Sequence, residues 1–133
     1  MILPGLQALL GFQLIAVFNT GFSDRLSSGE QRLHLLALGL IAVAGALVMT
    51  PAAYHRHIGP RRVSEQFLTI GSRFLLAAMI PLMIGISLDF YLIARMILHA
   101  PVLSAGLAAG LGLLFCFLWL VYPRIKRSRE HPP

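Results

Sequence analysis

Residues 67–98 read FLTIGSRFLLAAMIPLMIGISLDFYLIARMIL, an apolar run interrupted only by the charges of Arg73, Asp89 and Arg95. At about 1.5 Å of rise per residue, these roughly 32 residues form a helix of about 48 Å, whereas the hydrocarbon core of a bilayer is about 30 Å thick. Such a segment crosses lipid with its ends in the headgroups. Its strongest apolar part covers residues 67–88 or a little beyond. Pro81 lies centrally and leaves the carbonyl of Ala77 without its helical donor, so a kink is expected there.

Three other stretches share this character, at residues 3–20, 33–53 and 102–122. Barrel strands would show alternating runs of about ten residues, and these segments are continuously apolar. The sequence therefore predicts an all-α, four-transmembrane-helix bundle over residues 1–123, followed by a basic cytoplasmic tail at 124–133. Composition agrees. Hydrophobic residues make up 57% of the chain and charged ones 12%, about half the charge of a soluble domain. The bilayer is thus the first partner. The net charge of +6 is not a nucleic-acid footprint, because the basic residues lie in short connections and the tail.

The connections can be read in turn. Pro4 and Gly5 open the first segment, and no basic residue precedes its apolar run, so it reads as a membrane helix and not a secretory leader. A polar turn follows at residues 23–29. Ser27 with Glu30, or Ser28 with Gln31, has capping-box spacing at the start of the second helix. That helix runs toward Ala53, with a kink expected at Pro51. Tyr54-His55-Arg56-His57 and Gly59-Pro60-Arg61-Arg62 then form an aromatic, basic loop. His99-Ala100-Pro101 reads as a tight turn. Trp119 and Tyr122 anchor the last helix at an interface.

Two short blocks carry a family resemblance: Leu3-Pro4-Gly5-Leu6-Gln7 and Pro51-Ala52-Ala53-Tyr54-His55-Arg56. With four apolar segments in this length, the chain resembles a bacterial family of small four-helix integral membrane proteins, classed as a domain of unknown function. Some of its members bear a sodium:proton antiporter label. The resemblance spans roughly residues 3–97, and its specific motif is the Pro-Ala-Ala-Tyr-His-Arg block. It implies fold and an inner-membrane location, and it names no catalytic residue. Similar proteins usually carry a charged stretch before the first helix, which this sequence lacks.

Few residues carry chemistry. Asp89 is the acid of interest, because a carboxylate in hydrocarbon is costly and signals either a partner or a function. Gly85 and Ile93 occupy its i−4 and i+4 positions, so a partner must come from another helix. One reading puts Asp89 at the interface, solvated or paired with Arg32 or Arg95. The other buries it as an ion- or proton-coupling group, with His34 at the same end of the bundle. Tyr54, His55, Arg56 and Arg73 form the second candidate, a headgroup- or anion-binding cluster; the plainer reading is an interfacial anchor with Arg73 snorkelling. Gln7, Gln13 and Asn19 step by six residues and point about 120° apart, suiting interhelical hydrogen bonds better than a continuous channel. Gly106 and Gly110 on the last helix, and Ala42 and Ala46 on the second, are small-residue faces where a second copy or another membrane protein can pack.

Cofactor signals are weak. Cys116 is the single cysteine, so neither a disulfide within the chain nor a cysteine metal cluster is available. His34 and His99 sit at helix ends, poorly placed for bis-histidine haem. His55 and His57 lack acidic or cysteine companions for zinc. No phosphate loop, dinucleotide fingerprint or nucleophile elbow occurs. The expectation is no cofactor, no metal and no enzyme. A structural or accessory membrane subunit leads, with an oligomeric proton- or cation-coupled transporter using Asp89 as the alternative and a haem-binding redox protein as the third.

Positive charge sets the orientation. Arg56, Arg61 and Arg62 lie in one connection and Arg124, Lys126, Arg127 and Arg129 in the tail, whereas Arg25, Arg32 and Arg95 are spread over the other two. Four crossings put both rich segments, and therefore both termini, on the cytoplasmic side. With Cys116 replaced by serine, Arg61→Cys and Arg62→Cys proteins are expected to react with a membrane-impermeant maleimide only when the cytoplasmic face is exposed. Labelling from the opposite side reverses the orientation.

Overall fold

A computed structural model describes residues 2–58 and 65–125 of the chain; within these, side chains at 2, 23, 54–58 and 65–68 are left undescribed. The described residues are helical and hold no strand. The helices are α1 (Ile2–Phe18), the short α2 (Phe22–Arg25), α3 (Ser28–Ile58), α4 (Glu65–Leu98) and α5 (Pro101–Cys116). A widened π-helical turn at Phe117–Val121 continues α5, and there Phe115 stacks on Trp119 at 4.8 Å between ring centroids.

Three of these helices are long and apolar enough to cross a membrane, over Ser28–Ala53, Thr69–Leu98 and Pro101–Ile125. The first helix is apolar but only 17 residues long. That is about 26 Å, at the lower limit of a span. Helical structure also runs beyond the apolar stretches. Tyr54-His55-Arg56-His57, expected as a loop, continues α3 as far as Ile58. A backbone already wound to Ala53 keeps adding one hydrogen bond per residue, so these residues extend the helix at little cost. The Arg61–Arg62 pair and the tail from Lys126 lie outside the described residues. Helical structure passes through both Pro51 and Pro81.

The caps explain the helix starts. Ser27 and Glu30 form the capping box: the Ser27 backbone N–H and hydroxyl donate to Glu30 Oε2, both at 2.8 Å, and the Glu30 N–H donates to Ser27 Oγ at 3.4 Å. Gln31, from the other candidate pair, instead donates to the Leu26 carbonyl at 3.0 Å. Between α4 and α5, His99 closes the helix with φ of 54°. Ala100 is extended, as the residue before a proline must be.

Helices α3 and α4 make the main contact; α1 lies on α3 and α5 on α4. Residues His34, Ala37, Ile41 and Ala44 are buried on α3. Their spacing of three, four and three places them on one helix face. Opposite them on α4 are Ala78, Gly85 and Leu92, spaced by seven. Gly85 is the point of closest approach: a Cβ there would sit 2.8 Å from Ile41 Cγ1 and 3.1 Å from the Ala37 carbonyl. Gly71 faces Pro51 farther along, so as one helix rises in number the other falls. The pair is antiparallel.

On α5 the packed face is Ser104, Ala108 and Gly112; a Cβ on Gly112 would meet Ser87 Oγ at 3.2 Å. Gly106 and Gly110 face outward with nothing within 4 Å, and Ala42 and Ala46 are exposed as well. The outer surface is apolar, with Phe18 and Val102 each 84% exposed, as lipid requires. The Gly85 contact yields a stability prediction. Gly85→Ala should overpack the α3–α4 seam and cost about 1–3 kcal/mol, whereas Gly110→Ala should cost nothing measurable. Thermal unfolding in detergent checks the contrast.

Candidate functional site: a part-buried carboxylate with a buried imidazole and amide

One helical turn beyond Gly85 on α4 lies Asp89, and one turn before Ala37 on α3 lies His34. The antiparallel register therefore brings the two together. His34 Nδ1 sits 3.3 Å from Asp89 Oδ1. From α1, Gln13 Nε2 donates to Asp89 Oδ2. The ring closes at the other imidazole nitrogen, with His34 Nε2 at 3.3 Å from the Gln13 backbone carbonyl. Phe22 of α2 meets the imidazole edge-on, 5.3 Å between centroids. Three helices thus converge on one polar cluster, and a fourth, short one covers it.

The cluster lies inside the helices and not at their tips. Gln13 is five residues from the end of α1, His34 six from the start of α3 and Asp89 nine from the end of α4. At about 1.5 Å per residue these are depths of roughly 8, 9 and 14 Å. Gln13 and His34 are 6% and 7% exposed. In such surroundings an unpaired polar group costs a few kcal/mol, so the three must satisfy one another.

Protonation follows from the partners. A carbonyl only accepts, so Nε2 facing Gln13 O carries hydrogen. Nδ1 lies beside a carboxylate oxygen without being directed at it as a hydrogen bond. One proton held by either group, as imidazolium or as carboxylic acid, would leave the pair neutral overall, and none would leave it negative.

Two acceptors stay unanswered among the described residues: Gln13 Oε1 and Asp89 Oδ1 are buried without a hydrogen-bond partner. The His34–Asp89 contact is close enough for an ion pair but not directed as a hydrogen bond. Beside these atoms opens a cavity of about 590 Å³. Its walls are chiefly apolar, from Leu9, Phe12, Ala16, Leu92, Ile93 and Met96, and Asn19, Thr20 and Arg25 add polar groups to the lining.

The two expected partners of Asp89 lie elsewhere. Arg95 pairs with Glu30 at 3.6 Å, and Arg32 is exposed. An α3–α4 register that sets 34 against 89 also sets 30 against 95, so Arg95 meets the acid at its own level. Gln13 is buried while Gln7 is exposed, and Asn19 Oδ1 accepts the Gly21 N–H at 3.3 Å in the turn after α1. The sequence missed Gln13 as a partner of Asp89. Its signal was the seven-residue step from Leu6, the other buried residue of α1.

The second candidate cluster is not brought together among the described residues. Arg73 is exposed on α4, and the side chains of Tyr54, His55 and Arg56 lie outside the described ones. The described residues hold no group of three or more potential metal ligands. Both ring nitrogens of His34 face protein atoms, which leaves neither free for a haem iron without breaking a contact.

A family model described as "Family of unknown function (DUF6328)" matches residues 1–123. No curated protein and no solved structure matches the chain. Coupling within the cluster is measurable. Asp89→Ala and His34→Ala should each destabilise the fold, but the double variant should lose less than the sum by about 1–3 kcal/mol. Unfolding of all four proteins in one detergent gives the cycle, and strict additivity removes the pair as an energetic unit.

Proposed function

The chain belongs to the DUF6328 family, a family of unknown function, and from that premise we propose that it is a multi-pass membrane protein coupled to protons or cations. Asp89 is the coupling carboxylate and His34 its proton partner. One observation carries this reading: a carboxylate and an imidazole lie 3.3 Å apart among apolar helices, beside a cavity. A bundle that needed only to pack would be better served by apolar residues at these positions. An intramembrane ionisable pair beside a cavity suits a site where a proton is taken up and exchanged.

The groups facing Asp89 set its chemistry. His34 comes from α3, Gln13 from α1 and, in the cavity lining, Arg25 from α2. Arg95 is held by Glu30 on the outer side, which keeps its charge off the carboxylate. A cation entering the site takes the place of the pair's proton, so one positive charge is exchanged for another and the buried charge stays near zero. In this reading α1 completes four crossings, both termini are cytoplasmic, and the membrane is the bacterial inner membrane of the resembling proteins.

A second reading is favoured by a separate observation. Gly106 and Gly110 line an outward face of α5 with nothing against them, which suits an accessory subunit docking on another membrane protein or a second copy. The two readings are compatible, since the α5 face and the cluster lie on different helices.

Proteoliposomes test the coupling. Wild type is expected to dissipate a proton gradient when a cation gradient is imposed in the opposite direction, and Asp89→Asn is expected to lose that flux while remaining folded. An amide cannot exchange a proton in this range. Equal flux in the two proteins, or none in either under any imposed gradient, overturns the coupling role.

A further inference from the structure

We propose that the cavity beside Asp89 binds a lipophilic organic ammonium ion, one with N–H donors on an apolar body, that enters from the bilayer. The proposal rests on the reading of Asp89 as a group whose pair with His34 can lose its proton, and it names what replaces that proton.

Three observations carry it. The first is hydrogen-bond sense. The unanswered buried atoms at the cavity are both acceptors, Gln13 Oε1 and Asp89 Oδ1, and they sit on adjacent, hydrogen-bonded side chains. An occupant that satisfies them brings a donor or a positive charge, and a protonated amine brings both where the deprotonated Asp89–His34 pair lacks the charge. A carboxylate or phosphate ligand would bring more acceptors to a site already short of donors.

The second is size and lining. A cavity of about 590 Å³ falls in the range of small-molecule sites, about 300–1,000 Å³. It is far larger than a dehydrated metal ion needs, and beyond the oxygens of Gln13, Asn19, Thr20 and Asp89 its lining is chiefly apolar, with Leu9, Phe12, Phe22, Leu92, Ile93 and Met96. An apolar body attached to the ammonium fills this space and removes its own surface from water. Phe12 and Phe22 add ring faces, which attract cations.

The third is access. Phe12 is 70% exposed and Ile93 56%, so the α1 and α4 walls of the cavity end in lipid-facing side chains. A ligand dissolved in the bilayer reaches the site between these helices. A strongly hydrated ion does not dissolve in the bilayer and so does not share this route, and Arg25 among the lining residues adds a positive charge that disfavours it.

The test uses the full chain in lipid nanodiscs and three probes with one apolar body: 2-(naphthyl)ethylammonium, its N,N,N-trimethyl counterpart and the neutral 2-(naphthyl)ethanol. Binding is followed by calorimetry, with protein-free nanodiscs as the partition baseline. The primary ammonium is expected to bind wild type saturably and to release protons into a weak buffer. Asp89→Asn should weaken it by about tenfold or more. The trimethyl probe, which keeps the charge but has no N–H, should bind less tightly, and the alcohol should only partition.

Ala16→Leu narrows the cavity without touching the polar cluster, and it should weaken the primary ammonium as well. Equal behaviour of all three probes, or of wild type and Asp89→Asn, overturns the proposal in favour of simple partition. The failures are separable. Proton flux that depends on Asp89 without ammonium binding rejects the ligand class and leaves the coupling role. Saturable ammonium binding without flux rejects the coupling role and leaves a binding site.

Discussion

Everything distinctive in this molecule depends on how close α3 comes to α4 at Gly85. No side chain separates the helices there, and the space a Cβ would occupy lies 2.8 Å from Ile41. In lipid no hydrophobic effect pulls two apolar helices together, so close backbone packing and interhelical polar contacts must hold them. The Gly85 contact supplies the packing and fixes the antiparallel register. The register then decides which polar groups meet, and His34–Asp89 and Glu30–Arg95 are both results of it. A slip of one residue would rotate each partner about 100° away.

The polar cluster and the apolar surface are two sides of one constraint. Many of the large hydrophobic side chains face outward, and the interior of the bundle combines alanines with Leu6, Leu26, Ile41 and Leu92 and a few polar residues. Ser104 on α5 follows the same rule at smaller scale, its hydroxyl donating to the Ala100 carbonyl at 2.8 Å. Gln13, His34 and Asp89 depart from it because their hydrogen bonds run between helices. That makes them specific as well as costly: their contacts with one another exist only in this arrangement, and two of their acceptors still have no partner among the described residues. The same cluster ties α1 to α4.

Much of the fold was legible in the sequence, and the reason is solvent. Long apolar runs need helices in lipid, whatever their neighbours, and Ser27 with Glu30 marks the start of α3 through a local hydrogen-bond pattern. Asp89 and His34 could be singled out because charge and imidazole are rare in such segments. Their contact could not be seen, because it depends on register between helices, and that is set by Gly85 and Ile41, which look ordinary in sequence. The small-residue stripe shows the same limit. Gly106 and Gly110 have the familiar spacing, yet Ser104, Ala108 and Gly112 make the packed face. Nothing in one helix states which of its faces a neighbour will take. The first helix was read as an equal member of the bundle, while the other three alone among the described helices are long and apolar enough to cross a membrane.

The length of α4 has a consequence for the bilayer itself. Its apolar part, Thr69–Leu98, holds 30 residues, about 45 Å of helix, against a hydrocarbon core about 30 Å thick. A helix longer than its bilayer tilts, or thickens the lipid beside it. Asp89 stands nine residues from the end of this helix, so a change of tilt moves the carboxylate along the membrane normal. The thickness of a surrounding bilayer thus becomes a variable that acts on the site, through the angle of α4 and not through any contact with Asp89.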